Sequence, residues 1–104
     1  MNRIQKKVEE FCKTNRLESP PEYRVLDTLS ELGEVAKEVL KMSDYGRRKL
    51  KFRDEIKSEL GDVFYSLITI ANSFNVNLEE ALNNALEKYE KRLKRGSAGS
   101  EKEI

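Results

Sequence analysis

The sequence predicts an all-α fold, a four-helix bundle, and two observations support this. Apolar residues recur at spacings of three and four along most of the chain, which is the period of an amphipathic helix. Clusters of Pro, Gly, Ser and Asn interrupt this pattern, and no stretch alternates apolar and polar residues as a half-buried strand would. Short connections between four helices favour a bundle.

The length of 104 residues corresponds to one small domain. We expect residues 1–96 to form a single all-α domain and residues 97–104 to be a disordered C-terminal tail. A domain of this size buries a modest fraction of its surface, so association with further copies would help to stabilise it.

The first predicted helix covers about residues 2–16. Ser19 is expected to cap a second helix that has Pro20 at its first position, Glu22 in a capping box, and an end near Met42. The apolar positions of this second helix form a stripe that should face the core: Val25, Leu29, Leu32, Ala36, Val39 and Leu40.

A basic loop is predicted over residues 43–53. The third helix, at about residues 54–74, has the widest apolar face and should be the most buried. Asn77 is expected to cap a fourth helix that runs to about Arg95, with Gly96 stopping it.

The composition excludes several kinds of site. The chain has no histidine, which rules out Ser-His-Asp and Cys-His catalysis and His-ligated zinc. The single cysteine, Cys12, cannot form a disulfide within the chain. The net charge of +1 does not indicate nucleic-acid binding. No signal peptide or membrane span is expected, which fits a cytoplasmic location.

Two pairs of acidic residues are the main candidates for chemistry. Glu31 and Glu34 are three residues apart on the second helix, and Glu59 and Asp62 repeat that spacing on the third. Each pair shares one helix face. If the two helices pack antiparallel, the four carboxylates converge and repel one another unless cations lie between them. Carboxylate oxygens favour hard cations such as Mg²⁺, Mn²⁺ or Ca²⁺.

The alternative is that these acids are solvated. The acidic side of the second helix lies almost opposite its apolar stripe, which favours an exposed position, whereas Glu59 and Asp62 border the apolar face of the third helix. Gly33 and Gly61 lie inside the two acidic pairs. A glycine within a helix costs about 1 kcal/mol relative to Ala, so both indicate close approach of a helix or a ligand, or simply tight packing.

Together, Ser30-Glu31-Leu32-Gly33-Glu34-Val35-Ala36-Lys37-Glu38 and Glu59-Leu60-Gly61-Asp62-Val63 resemble the paired signature of the MazG-like all-α nucleoside triphosphate pyrophosphohydrolase family. The resemblance covers about residues 22–93. It implies that four acids bind Mg²⁺, with Mn²⁺ as a substitute: Glu31, Glu34, Glu59 and Asp62. One of the first two would activate the attacking water, and Glu38 would support the site.

On the fourth helix, Glu87-Lys88-Tyr89-Glu90-Lys91-Arg92 resembles the family's phosphate-contacting stretch, which implies that Lys88 and Arg92 bind phosphates. A solvated basic helix end is the alternative. Leu86 stands where some relatives carry an Asn near the sugar, so sugar recognition is not implied. The cations of residues 43–53 either guide the polyphosphate or are solvated.

The resemblance implies a homodimer or tetramer that cleaves nucleoside triphosphates to monophosphate and pyrophosphate, in a role that removes unwanted nucleotides. Two alternatives stay open. One is another activity of the superfamily, the hydrolysis of phosphoribosyl-ATP or of dUTP. The other is a helical interaction module without catalysis, in which the acidic faces are solvated.

Overall fold

The computed structural model describes residues 2–96 as four α-helices. They are α1 (Arg3–Thr14), α2 (Pro21–Met42), α3 (Ile56–Ser73) and α4 (Leu78–Lys94). The connections after α1 and α3 are short, and a longer one, residues 43–55, lies between α2 and α3. Within these residues there is no strand, which confirms the all-α prediction. The expected tail of residues 97–104 lies outside the described residues.

The helix starts follow the predicted capping in one case and depart from it in another. The Asn77 side chain accepts hydrogen bonds from the backbone N–H groups of Glu79 and Glu80, which caps α4 as predicted. The prediction for Ser19 is wrong, because α2 begins at Pro21 and the residue at its N-cap is Pro20. A proline at the first helical position suits a helix start, because its missing N–H is one of the groups that a helix N-terminus leaves unpaired.

The core lies around α3, which packs against α2 most extensively and against α1 to a smaller extent. Ser66, Ile68, Thr69 and Ala71 of α3 are buried, which confirms that this helix is the most buried of the four. The fourth helix makes little contact with the others and has no buried residue.

A network of amide hydrogen bonds fixes α1 against the end of α3. The Gln5 side chain is 1% exposed. Its amide nitrogen donates to Asn72 Oδ1 at 3.0 Å and to the Val76 carbonyl at 2.7 Å. Its amide oxygen accepts from the Asn2 side chain and the Leu78 backbone, both at 2.7 Å. Every polar atom of this buried side chain is therefore satisfied, and one residue joins α1, α3 and α4.

The apolar stripe of α2 is not buried in the single chain, contrary to the prediction. Leu29 is 61% exposed and Leu32 is 53% exposed, and the other residues of the stripe are also exposed. The residues of α2 that are buried are Glu38 and Met42. The helix thus turns part of its acidic side toward α3, and its apolar stripe is left uncovered by the other residues of the described range 2–96.

None of the helices within residues 2–96 combines the length and the apolar character that crossing a membrane requires.

Candidate metal centre

Helices α2 and α3 run antiparallel with acidic side chains between them. Near the C-terminal end of α2, Glu38 forms an ion pair with Arg53, which precedes α3. Two helical turns before Glu38, Glu31 of α2 lies beside Glu59 and Asp62 of α3. We call this contact the acidic seam, and define it by five carboxylates: Glu31, Glu34, Glu38, Glu59 and Asp62.

Three of the predicted ligands come together at the seam. One carboxylate oxygen from each of Glu31, Glu59 and Asp62 lies within 4.8 Å of the other two. Glu31 and Glu59 are half-buried, and Asp62 is exposed. Oxygen ligands lie about 2.0–2.6 Å from Mg²⁺ or Ca²⁺, so small side-chain movements would bring these oxygens onto one ion. These three residues, the carboxylate cluster, therefore suit a hard divalent cation.

Glu34 is exposed and does not belong to the carboxylate cluster in this arrangement. Its negative charge still acts on Glu59, because it is one of the charges that raise the pKa of Glu59. The second predicted carboxylate of α2 therefore lies at the margin of the cluster and remains open to solvent.

The electrostatics of the cluster favour a cation. Partial burial raises the pKa of Glu59 above its ordinary value, and the negative charges of the other four seam carboxylates raise it further. Keeping these carboxylates ionised together therefore lowers the stability of the metal-free protein. A bound divalent cation would relieve the repulsion and favour the charged form of Glu59.

Glu38, which the resemblance assigns a supporting role at the site, forms a buried ion pair. It is 6% exposed, and its carboxylate accepts a hydrogen bond from the guanidinium group of Arg53. The same guanidinium lies 3.7 Å from a carboxylate oxygen of Glu55. The sequence reasoning missed this pair and grouped Arg53 with the other cations of the loop. The available signal was that Glu38 shares the acidic sector of Glu31.

The remaining cations of the loop have varied surroundings. Arg48 donates to the Met42 carbonyl at 2.6 Å and so satisfies the C-terminus of α2. Arg47 is 4.0 Å from Asp44, at an exposed position. Within the described residues, the side chains of Lys49 and Lys51 form no ion pair.

The two predicted phosphate ligands of α4 share one aromatic partner. The Lys88 ammonium lies 5.1 Å from the centre of the Tyr89 ring, and the Arg92 guanidinium carbon lies 5.7 Å from it. Such distances allow cation–π attraction. These cations belong to a helix that makes little contact with α2 or α3, whereas the carboxylate cluster is built from those two helices alone.

Within residues 2–96 the prediction of close helix approach or tight packing at Gly33 and Gly61 is wrong, and the approach of a ligand to these glycines stays a prediction. A Cβ atom added at either glycine would have no neighbouring atom within 4 Å. Both glycines are exposed, so nothing in the described part of the chain requires their small size.

Comparison with known proteins places the chain in a family. Residues 20–97 match the model of the MazG nucleotide pyrophosphohydrolase domain. Over 65 residues the chain is 40% identical to the uncharacterised protein YpjD of Bacillus subtilis strain 168, an alignment that covers 60% of this chain and 57% of that protein. The chain therefore spans less than two thirds of this relative.

Two crystal structures are similar to most of the chain. One is a Bacillus-conserved MazG protein, a nucleotide pyrophosphohydrolase, with a TM-score of 0.69 and 32% identity over 83% of this chain and 84% of the other. The other is YpjD from Bacillus subtilis, with a TM-score of 0.70 and 32% identity over 86% and 91%. By its sequence and by its helices, the chain belongs to the MazG nucleotide pyrophosphohydrolase family.

Proposed function

We propose that this protein is a Mg²⁺-dependent nucleotide pyrophosphohydrolase that cleaves a nucleoside or deoxynucleoside triphosphate to the monophosphate and pyrophosphate. The observation that carries the proposal is the convergence of Glu31, Glu59 and Asp62 within 4.8 Å. Membership of the MazG family supports the reaction class. A housecleaning role, the removal of unwanted nucleotides, is part of the proposal, and the same membership supports it.

The carboxylate cluster would hold the metal, with Glu34 as a further acid at its margin. When bound, Mg²⁺ neutralises phosphate oxygens and lowers the pKa of a coordinated water. The side chains of α2 supply the base. Water attacks the α-phosphorus, the bond from that phosphorus to the bridging oxygen breaks, and pyrophosphate leaves. The proton of the water passes to Glu31 or Glu34, and the solvent-exposed position of Glu34 outside the cluster favours Glu34.

Lys88 and Arg92 are proposed to contact the phosphates. Both cations lie against one ring, that of Tyr89, so a polyphosphate reaching this part of α4 would meet both charges together. Two cations acting on one anion bind it more tightly than a single cation does.

We also propose that the chain works as a homodimer or tetramer. The apolar stripe of α2 is exposed in the single chain, and so are Leu60, Phe64 and Leu67 of α3. Exposed apolar side chains in this number favour an interaction surface. A second copy would cover it and add to a core that in one chain has few fully buried apolar residues.

The activity is tested by supplying a panel of NTPs and dNTPs, with phosphoribosyl-ATP included, and measuring pyrophosphate release with Mg²⁺ and with EDTA. We expect Mg²⁺-dependent release from at least one triphosphate. Glu59→Gln should lower the rate by about 10²-fold or more, because it removes a charged ligand while keeping the shape of the side chain.

The matched control is Glu10→Gln, an exposed carboxylate of α1 outside the seam. It should leave the rate within about twofold of wild type. Folded protein that releases no pyrophosphate from any substrate would refute the proposed activity. An active Glu59→Gln variant would remove Glu59 from the metal site.

A further inference from the structure

Arg53 contacts the acidic seam at the end that faces the basic loop. Its guanidinium hydrogen-bonds to Glu38, and Glu38 is buried while Arg53 is partly exposed. Glu38 is also one of the charges that act on Glu59. The net charge of the Glu38–Arg53 pair therefore contributes to the electrostatic potential at the carboxylate cluster.

The pairing has two physical consequences. First, a carboxylate whose oxygen accepts a charge-assisted hydrogen bond is less available to coordinate a metal. Second, the positive charge of Arg53 offsets the negative charge of Glu38, so the attraction that a cation feels at the cluster is weaker than five carboxylates alone would produce.

We propose that Arg53 sets the affinity of the carboxylate cluster for divalent cations by neutralising Glu38 and keeping it out of the ligand set. This makes Arg53 a positioning residue that acts through Glu38. The inference rests on the proposed metal site and adds a regulator of its strength. A moderate affinity suits a site in which the metal must also contact the phosphates of a substrate, because Mg²⁺ is usually held by few carboxylates together with phosphate oxygens.

The proposal predicts opposite effects for the two members of the pair. Arg53→Gln leaves Glu38 charged and unpaired, so the cluster gains negative potential. Glu38→Gln leaves Arg53 unpaired, so the cluster meets a free positive charge. Replacing both residues by Gln removes the two charges together and should restore an affinity close to that of the wild type. If Glu38 were instead a metal ligand, the double variant would bind as weakly as Glu38→Gln.

The test is calorimetric titration of metal-free protein with Mn²⁺ alone, at about pH 8, where an unpaired carboxyl group is ionised. We expect Arg53→Gln to bind about three- to tenfold more tightly than wild type and Glu38→Gln to bind more weakly by a similar factor. The double variant should lie within about twofold of the wild type, and Arg53→Lys, which keeps the charge, should also stay close to it.

Lys51→Gln is the matched control, because it removes a cation from the same loop that forms no ion pair within residues 2–96. An exposed charge of this kind is screened by salt, so its loss should change affinity by less than about twofold. The control also shows whether any lost cation has the same effect.

The outcomes separate the inference from the proposed function. Wild-type protein that binds no Mn²⁺ refutes the metal site and the inference with it. Wild-type binding with an unchanged or weaker Arg53→Gln overturns the inference alone, and so does a double variant as weak as Glu38→Gln. If Arg53→Gln does not fold, as circular dichroism would show, the comparison of Glu38→Gln with the double variant decides between the two readings of Glu38.

Discussion

The two sides of α3 differ in how their polar groups are paired. On the α1 side the polar groups are neutral and paired: Gln5 is fully hydrogen-bonded, and the Cys12 thiol lies 3.3 Å from the Tyr65 hydroxyl. On the α2 side, Glu31, Glu59 and Asp62 are like charges held close together. The hydrogen bonds of the first contact stabilise the fold by themselves, whereas the repulsion among the carboxylates of the second opposes folding unless a cation is present.

The comparison shows where the stability of the fold and the chemistry of the site reside. A contact made for stability satisfies its polar groups within the chain. A contact made for a ligand leaves a charge imbalance for the ligand to correct, and functional sites commonly carry such costs. Breaking each contact in turn should therefore change stability in opposite directions.

The largest expected effect on stability is at the α1 side. Gln5→Leu removes the partners of the Val76 carbonyl and the Leu78 backbone N–H in a buried position. Leaving such groups unpaired should lower the free energy of unfolding by about 2–4 kcal/mol, measured by urea denaturation. Asn84→Leu, at an exposed amide of α4, is the control and should change it by less than about 0.5 kcal/mol. A loss at Gln5 no larger than that of the control would contradict the assigned role.

On the α2 side, removing the charge of Glu59 is expected to raise the stability of the metal-free protein. Because the folded state raises the pKa of Glu59, it holds the proton more tightly than the unfolded chain does. The contribution of Glu59 to metal-free stability is therefore favourable at low pH and declines as pH rises from about 4.5 through the raised pKa. Glu59→Gln removes this decline.

Thermal unfolding in EDTA between about pH 5 and pH 8 measures the difference. The midpoint of Glu59→Gln should exceed that of the wild type at the upper end of this range, and the gap should narrow toward the lower end. A variant that is less stable than the wild type at every pH would mean that the Glu59 carboxylate is stabilised rather than strained in the metal-free protein.

Much of the fold could be predicted because it depends on local patterns. The four helices, the cap at Asn77 and the burial of α3 follow from periodicity and capping chemistry that lie within a few residues of one another. The start of α2 was misplaced by one residue, because two consecutive prolines both suit a first helical position and the sequence does not rank them.

The face of α2 that packs against α3 could not be predicted from the sequence of α2 alone. A helical wheel identifies an apolar stripe, and the usual inference is that this stripe faces the core of the same chain. Here Leu29 and Leu32 are exposed while Glu38 is buried, because α2 packs against α3 through part of its acidic side. Which face packs within the chain depends on partners that the sequence of one helix does not specify.

The residues of the candidate site could be predicted from the sequence, but part of their arrangement in space could not. The spacing of Glu59 and Asp62 correctly placed two carboxylates on one face of α3, and Glu31 joins them. The pairing of Glu38 with Arg53 depends on how the loop before α3 folds back, which no local pattern encodes. For Gly33 and Gly61, the free space around each shows that a helix glycine does not by itself indicate contact.

The most direct test of the central claim is the thermal midpoint of the protein at neutral pH with and without Mg²⁺, for wild type and for Asp62→Asn. A cation that binds the folded protein alone stabilises it by mass action, by about 2.7 kcal/mol at one hundred times the dissociation constant. The account predicts that saturating Mg²⁺ raises the wild-type midpoint and that Asp62→Asn loses most of this increase. A wild-type midpoint that does not respond to Mg²⁺, or an Asp62→Asn variant that responds as fully as the wild type, would contradict it.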